Sequence, residues 1–143
     1  MRRILIVNGP NLNLTGRREP EIYGTRTMDD IIADTRAAMD GSAVIDYFQS
    51  NSEGAIIDRL HAAGFGAVDG IVLNAGAYTH TSLAIADAIA AIGTPVVEVH
   101  MSRVAAREPI RRRSLIGPVC RGTIAGFGPD VYRLACHAIL ALA

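Results

Sequence analysis

The chain has 143 residues, half of them hydrophobic, with 14 basic and 14 acidic side chains and a formal net charge of zero. That length suits one well-packed domain and is short for two, and the balanced charge leaves no global field to draw nucleic acid or an anionic membrane surface, so the expected partner is a small molecule. All 14 basic residues are arginine, and without lysine neither a Schiff-base amine nor a GxxxxGK[ST] phosphate loop is available.

Ile4 to Val7 is an apolar, β-branched run that reads as a short buried strand. It runs into "GPNLNLTGRREPEIYG", residues 9 to 24, a Gly- and Pro-punctuated loop with two Asn, two Arg, two Glu and one Tyr. Helical spacing follows over Met28 to Met39, opened by Thr27 with Asp30 three residues on, a capping-box pattern. Ala43 to Phe48 reads as the second strand, and Ser52 caps a helix over Glu53 to Ala63. Gly70 to Leu73 is the third strand, leading through "NAGAYTH" to a helix over Thr81 to Ile92. Pro95 to Val99 is the fourth strand and Gly122 to Ala125 a weaker fifth, before a last helix over Val131 to Leu142 with Asp130, after Pro129, as its cap.

Strands alternating with helices predict an α/β domain over residues 1–143 with a five-stranded parallel sheet covered on both faces. At this length a flavodoxin-like strand order of 2-1-3-4-5 is expected, with ligands at the carboxyl ends of the strands. The polar residues there form one rim: Asn8 to Tyr23, then Asn51 and Glu53, then Asn74 to His80, then His100 to Arg113.

Within that rim "EVHMS" carries the most chemistry. Residues two apart on a strand share a face, so Glu98, His100 and Ser102 can align. A carboxylate beside an imidazole fixes its tautomer and favours its protonated form, which suits a proton donor. The same spacing also fits a histidine held for structural reasons. Tyr23 follows Arg17 and Arg18 by six and five residues. A phenol is a base near neutral pH only with a cation close by, and otherwise a loop tyrosine covers apolar surface. "NAGAYTH" places Asn74 at a strand end and His80 at a helix start, with Gly76 permitting close backbone approach; a neutral polyol fits there, and so does plain turn chemistry. Of "RRRS", residues 111 to 114, at most one arginine is expected to touch a ligand.

No HxH, HExxH or CxxC spacing points to a metal, and no GxSxG or early GxGxxG supports a hydrolase or a dinucleotide site. Cys120 and Cys136 read as small buried residues. With no secretory leader pattern, no membrane-length apolar run and no disulfide framework, the expected compartment is the cytoplasm.

Taken together, "GPNLNLTGRREPEIYG", "QSNSEGAIIDRL", "NAGAYTHTSLAIADA" and "EVHMSRVAAREPIRRRS" resemble, in order and over nearly the whole chain, the signature blocks of the type II 3-dehydroquinate dehydratases. The resemblance implies a cofactor-free and metal-free hydro-lyase that removes water from 3-dehydroquinate to give 3-dehydroshikimate, by anti elimination through an enolate. By position it makes Tyr23 the general base and Arg18 the cation that activates it. His100, oriented by Glu98, becomes the general acid, and Asn11 helps to hold a water against the enolate oxygen. Asn74, His80 and Arg111 correspond to residues that hold the ring hydroxyls, and Met101 and Ser102 to the carboxylate site. Asp87 corresponds to a residue that reaches a neighbouring subunit, in a homo-oligomer that is commonly a dodecamer built from trimers. The 9–24 loop is then an active-site lid, and the step serves either the shikimate pathway or quinate catabolism.

The chain also departs from the family pattern. Relatives often have Asn in place of Arg103, His in place of Ala105, Phe in place of Ile110, paired His in place of Arg112 and Arg113, and Arg in place of Ala86. Two other readings therefore stay open: a divergent relative acting on another cyclic hydroxy ketone acid, and a flavodoxin-like module that binds a small anion without turnover.

Overall fold

The apolar runs become the strands of one sheet, and the three central ones bury side chains on both faces. The computed structural model describes residues 1–23 and 25–142, with Ile22 and Tyr23 described by their main chain alone. In chain order the elements are β1 (Arg2–Asn8), α1 (Pro20–Tyr23), α2 (Met28–Ala38), β2 (Ala43–Gln49), α3 (Glu53–Ala63), β3 (Gly70–Asn74), α4 (Leu83–Ala91), β4 (Val96–His100), α5 (Pro109–Arg112), β5 (Gly122–Ala125) and α6 (Asp130–Ala141). The strands lie in the order β2-β1-β3-β4-β5 with every pairing parallel, the flavodoxin-like order expected at this chain length.

The pleat sorts the core into two layers. Ile4, Ile6, Val72, Val97 and Val99 face one way and pack with Ile31 and Ile32 of α2 and Tyr132, Cys136 and Ile139 of α6. Leu5, Val7, Ile71, Leu73 and Val96 face the other way and pack with Ile56 and Leu60 of α3 and Ile85 and Ile89 of α4. β5 is the weak strand of the sequence because it is an edge: its residues are exposed or half-buried, so the run needs less apolar character.

Side-chain caps fix the helix starts. Thr27 and Asp30 form the expected capping box on α2, and Ser52 accepts from Ala55 N at the start of α3. Two expectations change. The helix after the third strand, α4, begins at Leu83 rather than Thr81, because Ser82 Oγ accepts from Ile85 N at 2.9 Å and sets the start there. Asp130 is the first residue of α6 and not its cap; Pro129 occupies the cap position, which has no side-chain hydrogen bond. Asp130 acts instead as an acidic group in the first turn, where it complements the helix dipole.

Gly9 brings the ends of β1 and β3 together. A Cβ there would lie 2.5 Å from the Ala75 carbonyl oxygen, so only glycine allows this approach, and Gly9 N donates to Asn74 O at 2.7 Å.

Candidate active site

The carboxyl ends of β1, β3 and β4 open into a cleft lined by Pro10, Asn11, Leu12, Arg18, Asn74, Gly76, Ala77, His80, His100, Met101, Ser102, Val104, Arg107 and Arg111. Eight of the residues singled out in the sequence meet there: Asn11, Arg18, Asn74, His80, His100, Met101, Ser102 and Arg111. Glu98 stands behind His100. Asp87 does not line the cleft of its own chain; it is exposed on α4. The Tyr23 side chain lies outside the described residues.

At the end of β4 the alternation of the strand aligns Glu98 and His100, and Nε2–H of His100 donates to Glu98 Oε2 at 2.6 Å with both side chains buried. The carboxylate is held from two further sides. Ser114 Oγ donates to Oε2 at 2.7 Å and Thr123 Oγ1, from β5, to Oε1 at 2.8 Å. Burial alone would raise the pKa of this carboxyl; the hydrogen bonds from His100, Ser114 and Thr123 outweigh it, and the net shift is below the usual carboxylate range. Because β4 ends at His100, the strict alternation does not extend to Ser102, which reaches the cleft from the bend that follows. Gly126 N and Gly128 N donate to the carbonyls of His100 and Met101 at 3.1 and 3.0 Å, which holds the strand end from behind.

His80 ends a 3₁₀ turn over Gly76–His80 rather than starting a helix. Its Nδ1–H donates to the Arg113 carbonyl at 2.8 Å, which leaves Nε2 as an acceptor. The His80 and His100 rings stack with centroids 6.3 Å apart. Gly76 has φ +60, and a Cβ on it would crowd the Pro10 carbonyl at 3.1 Å, so the turn can lie against the β1 loop.

Asn11 adopts the left-handed conformation, φ 68, which asparagine tolerates better than most residues. Its main-chain N–H donates to Asn51 Oδ1 at 3.0 Å, and the Asn51 carbonyl accepts from Tyr78 O–H at 2.8 Å, so Asn51 braces the loop from β2. Glu53, also expected on the rim, turns away to accept from Ser82 Oγ at 2.5 Å. Farther along the loop, Glu19 has φ 44 and its Oε2 lies 3.5 Å from Arg18 Nη2 and 3.9 Å from Arg107 Nη2. This carboxylate thus links the loop after β1 to the loop after β4.

Of the three consecutive arginines, Arg111 alone lines the cleft, and it pairs with Glu108 at 2.8 Å. Arg112 Nε donates to the Arg107 carbonyl at 2.7 Å, and Arg113 serves His80 through its carbonyl. Arg107, Ser114, Thr123 and Tyr132 are the site residues that the sequence reading passes over. Arg107 carried a signal only as one of five arginines in the rim segment from His100 to Arg113, and Ser114 only as the end of "RRRS". Thr123 and Tyr132 become visible once the sheet order puts β5 beside β4 and α6 under the ends of β1 and β3.

A family model described as dehydroquinase class II matches residues 2–140. The chain belongs to this family. It is 55% identical over 137 residues to a 3-dehydroquinate dehydratase of Rhizobium johnstonii, covering 95% of this chain and 94% of that protein. It is 48% identical over 140 residues to a 3-dehydroquinate dehydratase of Caldicellulosiruptor bescii, covering 97% of each. The crystal structure of a type II dehydroquinase from Butyrivibrio crossotus superposes with a TM-score of 0.94 at 42% identity, covering 96% of this chain and 97% of that one. The sequence reading of an enzyme, a hydro-lyase, stands with these relatives. The departures from the dehydroquinase pattern at Arg103, Ala105, Ile110, Arg112, Arg113 and Ala86 all fall outside the residues that line the cleft.

Proposed function

We propose that this cleft dehydrates 3-dehydroquinate to 3-dehydroshikimate by anti elimination through an enolate. The observation that carries the proposal is the buried His100–Glu98 pair, set at the floor of a cleft whose rim holds Arg18, Arg107 and Arg111. The guanidinium groups favour an anionic substrate, and the imidazole supplies a positioned acid.

In the first step Tyr23, as the tyrosinate, removes the proton α to the ketone, and the electron pair moves onto the carbonyl oxygen as an enolate. Asn11 orients a water toward that oxygen, a preorganised donor where charge develops. In the second step the enolate collapses, the bond to the β-hydroxyl breaks, and His100 gives that oxygen a proton so that it leaves as water. His100 enters this step as the imidazolium: its Nε2–H stays on Glu98, the proton passes from Nδ1, and the neutral imidazole is left. Tyr23 then returns its proton through solvent to reset His100, so no redox change occurs and no external group is consumed.

His80 Nε2 accepts from one ring hydroxyl, while Asn74 and Arg111 hold the others. Met101 and Ser102 receive the substrate carboxylate. Closure of the 9–24 loop excludes water from the enolate. Because the departures from the family pattern lie outside the cleft lining, they give no support to a different substrate.

Asp87 is proposed to act across a subunit boundary, in trimers grouped as a dodecamer. It is exposed on α4 one turn from Leu83, an apolar residue that is 67% exposed. No helix among the described residues is long and apolar enough to cross a membrane, and the free thiols of Cys120 and Cys136 fit a reducing cytoplasm. The step serves aromatic biosynthesis and quinate breakdown equally.

The test is to add 3-dehydroquinate to purified protein and follow the ultraviolet absorbance of the conjugated enone product. A steady rise proportional to protein supports the reading. No rise across the neutral and alkaline range removes it.

A further inference from the structure

Beneath the cleft, on the face opposite Glu98, a hydrogen-bond chain runs through buried side chains. Asn8 and Asn74 end β1 and β3 in register and project to the same face, toward α6. Tyr132 of α6, with no exposed surface, reaches up between them: its O–H donates to Asn8 Oδ1 at 2.8 Å and its oxygen accepts from Asn74 Nδ2 at 3.1 Å. Asn8 Nδ2 in turn donates to Tyr47 Oη at 3.2 Å. On its other side, Asn74 Oδ1 accepts from Gly76 N at 3.2 Å.

We propose that Tyr132 is a positioning residue that locks the Asn74 amide in one orientation, and so decides which hydrogen-bonding group Asn74 offers to the substrate. The proposal rests on the reading of the cleft given above. A carboxamide is nearly symmetric in shape and opposite in polarity at its two ends, so packing alone does not select between its orientations. Here two partners do. The Gly76 N–H can only donate, which requires Oδ1 on that side. Tyr132 has one proton, spent on Asn8, and therefore requires a donor from Asn74. Both demands are met by the same orientation, which leaves one N–H of Nδ2 and one lone pair of Oδ1 for a ligand in the cleft. Burial also keeps the Tyr132 phenol protonated through the neutral range.

The amide is thus ordered before substrate arrives, and a hydroxyl that binds it pays no reorientation cost. Tyr132→Phe keeps the ring and removes only the oxygen, leaving a buried N–H of Asn74 without its acceptor. The amide is then held from the Gly76 side alone, its orphaned N–H shifts toward another acceptor, and the substrate contact is weakened. A net hydrogen bond of ordinary strength corresponds to about a 3- to 10-fold rise in KM, with kcat changed less than about twofold.

The test is steady-state kinetics with 3-dehydroquinate for wild type, Tyr132→Phe, Asn74→Ala and the double variant, with circular dichroism to check folding. If Tyr132 works through Asn74, its substitution raises KM in the wild-type background and has no further effect on KM once Asn74 is alanine. Asn8→Ala is a second route to the same amide: it frees the Tyr132 proton to point either way, and the same rise and the same disappearance beside Asn74→Ala are expected. An unchanged KM in a folded Tyr132→Phe protein, or in Asn8→Ala should the former not fold, overturns the proposal. So does a KM effect that persists in the Asn74→Ala background, which marks a structural role. A wild-type protein without turnover overturns the assigned reaction and this inference with it; active wild type with either of the other results removes the inference alone.

Discussion

Glu98 and His100 are joined at 2.6 Å between Oε2 and Nε2, and the carboxylate that makes this bond also accepts from Ser114 and Thr123. Three donors on one buried carboxylate leave it no freedom to turn, so the imidazole is held in one plane and one tautomer. His100→Ala removes the proposed proton donor, and turnover is expected to fall by about 10² to 10⁴. Glu98→Gln leaves the imidazole in place but offers one acceptor oxygen where the carboxylate has two, so its loss in kcat is expected to be smaller. Rates measured on both variants, with folding checked, decide the order. A Gln variant slower than the Ala variant would reverse the assigned roles.

The same cradle predicts how stability responds to acid. The Glu98 carboxyl lies below its ordinary value of 4.5 in the folded protein, so the folded state holds fewer protons there than the unfolded chain does. Its stabilising contribution is therefore complete above the ordinary value and is lost as the pH falls through the lower folded one. Thr123→Val removes one donor and moves the folded value upward, so the acid loss begins at higher pH and stability at neutral pH falls by about 1 to 3 kcal/mol. Urea midpoints between pH 3 and pH 7 for the two proteins measure this. Parallel curves would show that Thr123 contributes nothing to the ionised carboxylate.

Much of this fold was legible in the chain. β-branched runs such as Ile4 to Val7 announce buried strands because both faces of a central parallel strand need apolar side chains. The cleft was legible in outline for a related reason: polar residues cannot be spared within such strands, so Asn74 and His100 at their ends mark the open side of the sheet. What stayed hidden depends on contacts distant in sequence. Thr123 sits in a weak edge strand and meets Glu98 only because β5 pairs with β4. Tyr132 looks like an ordinary core residue of an amphipathic helix, and its hydroxyl matters because 124 positions earlier Asn8 ends a strand above it. The Asp130 cap failed for a local reason, since the helix starts one residue earlier than a capping Asp requires.

Gly9→Ala tests the contact between the β1 loop and the end of β3. The added Cβ would meet main-chain atoms of Ala75 at 2.5 and 2.7 Å, and backbone cannot yield as a side-chain tip can. A cost of about 1 to 3 kcal/mol is expected, the range for overpacking. In a domain of this size that lowers Tm by several degrees, about 2 to 8 °C per kcal/mol at the extremes. Activity should fall as well, because Asn11 and Asn74 are carried on the two segments forced apart. An unchanged Tm would mean that the loop shifts freely.

Both cysteines should resist alkylation in the native protein. Burial pushes each thiol up to about 12, helped at Cys120 by the negative charge of Glu98, so almost no thiolate exists at pH 8. Intact mass after iodoacetamide treatment should show no adduct in the native protein and two in urea. Rapid native labelling at Cys120 would contradict its packing against the Glu98 side of the sheet.

The pair Arg18 and Tyr23 should behave as one catalytic unit. Removing an α proton from a ketone needs a base near neutral pH, and a phenol, with a pKa near ~10, qualifies only if a cation stabilises its phenolate, an effect worth about 1 to 3 pH units at close range. Tyr23→Phe removes the proposed base and should nearly abolish kcat while leaving substrate affinity largely intact. Arg18→Gln should do most of the same damage with the tyrosine still present. Arg18 lines the cleft, and Glu19, which lies between it and Arg107, offers a carboxylate partner that keeps its guanidinium near the loop. Without that guanidinium, Tyr23 ionises only at higher pH, so part of the lost activity should return there. Arg18→Lys should restore less than the full rate, because an ammonium lacks the planar fork that can hold a phenolate and a second acceptor together. The deciding measurement is kcat against pH for wild type and Arg18→Gln. An acidic limb that stays in place in the variant would show that Arg18 is not the group that activates Tyr23.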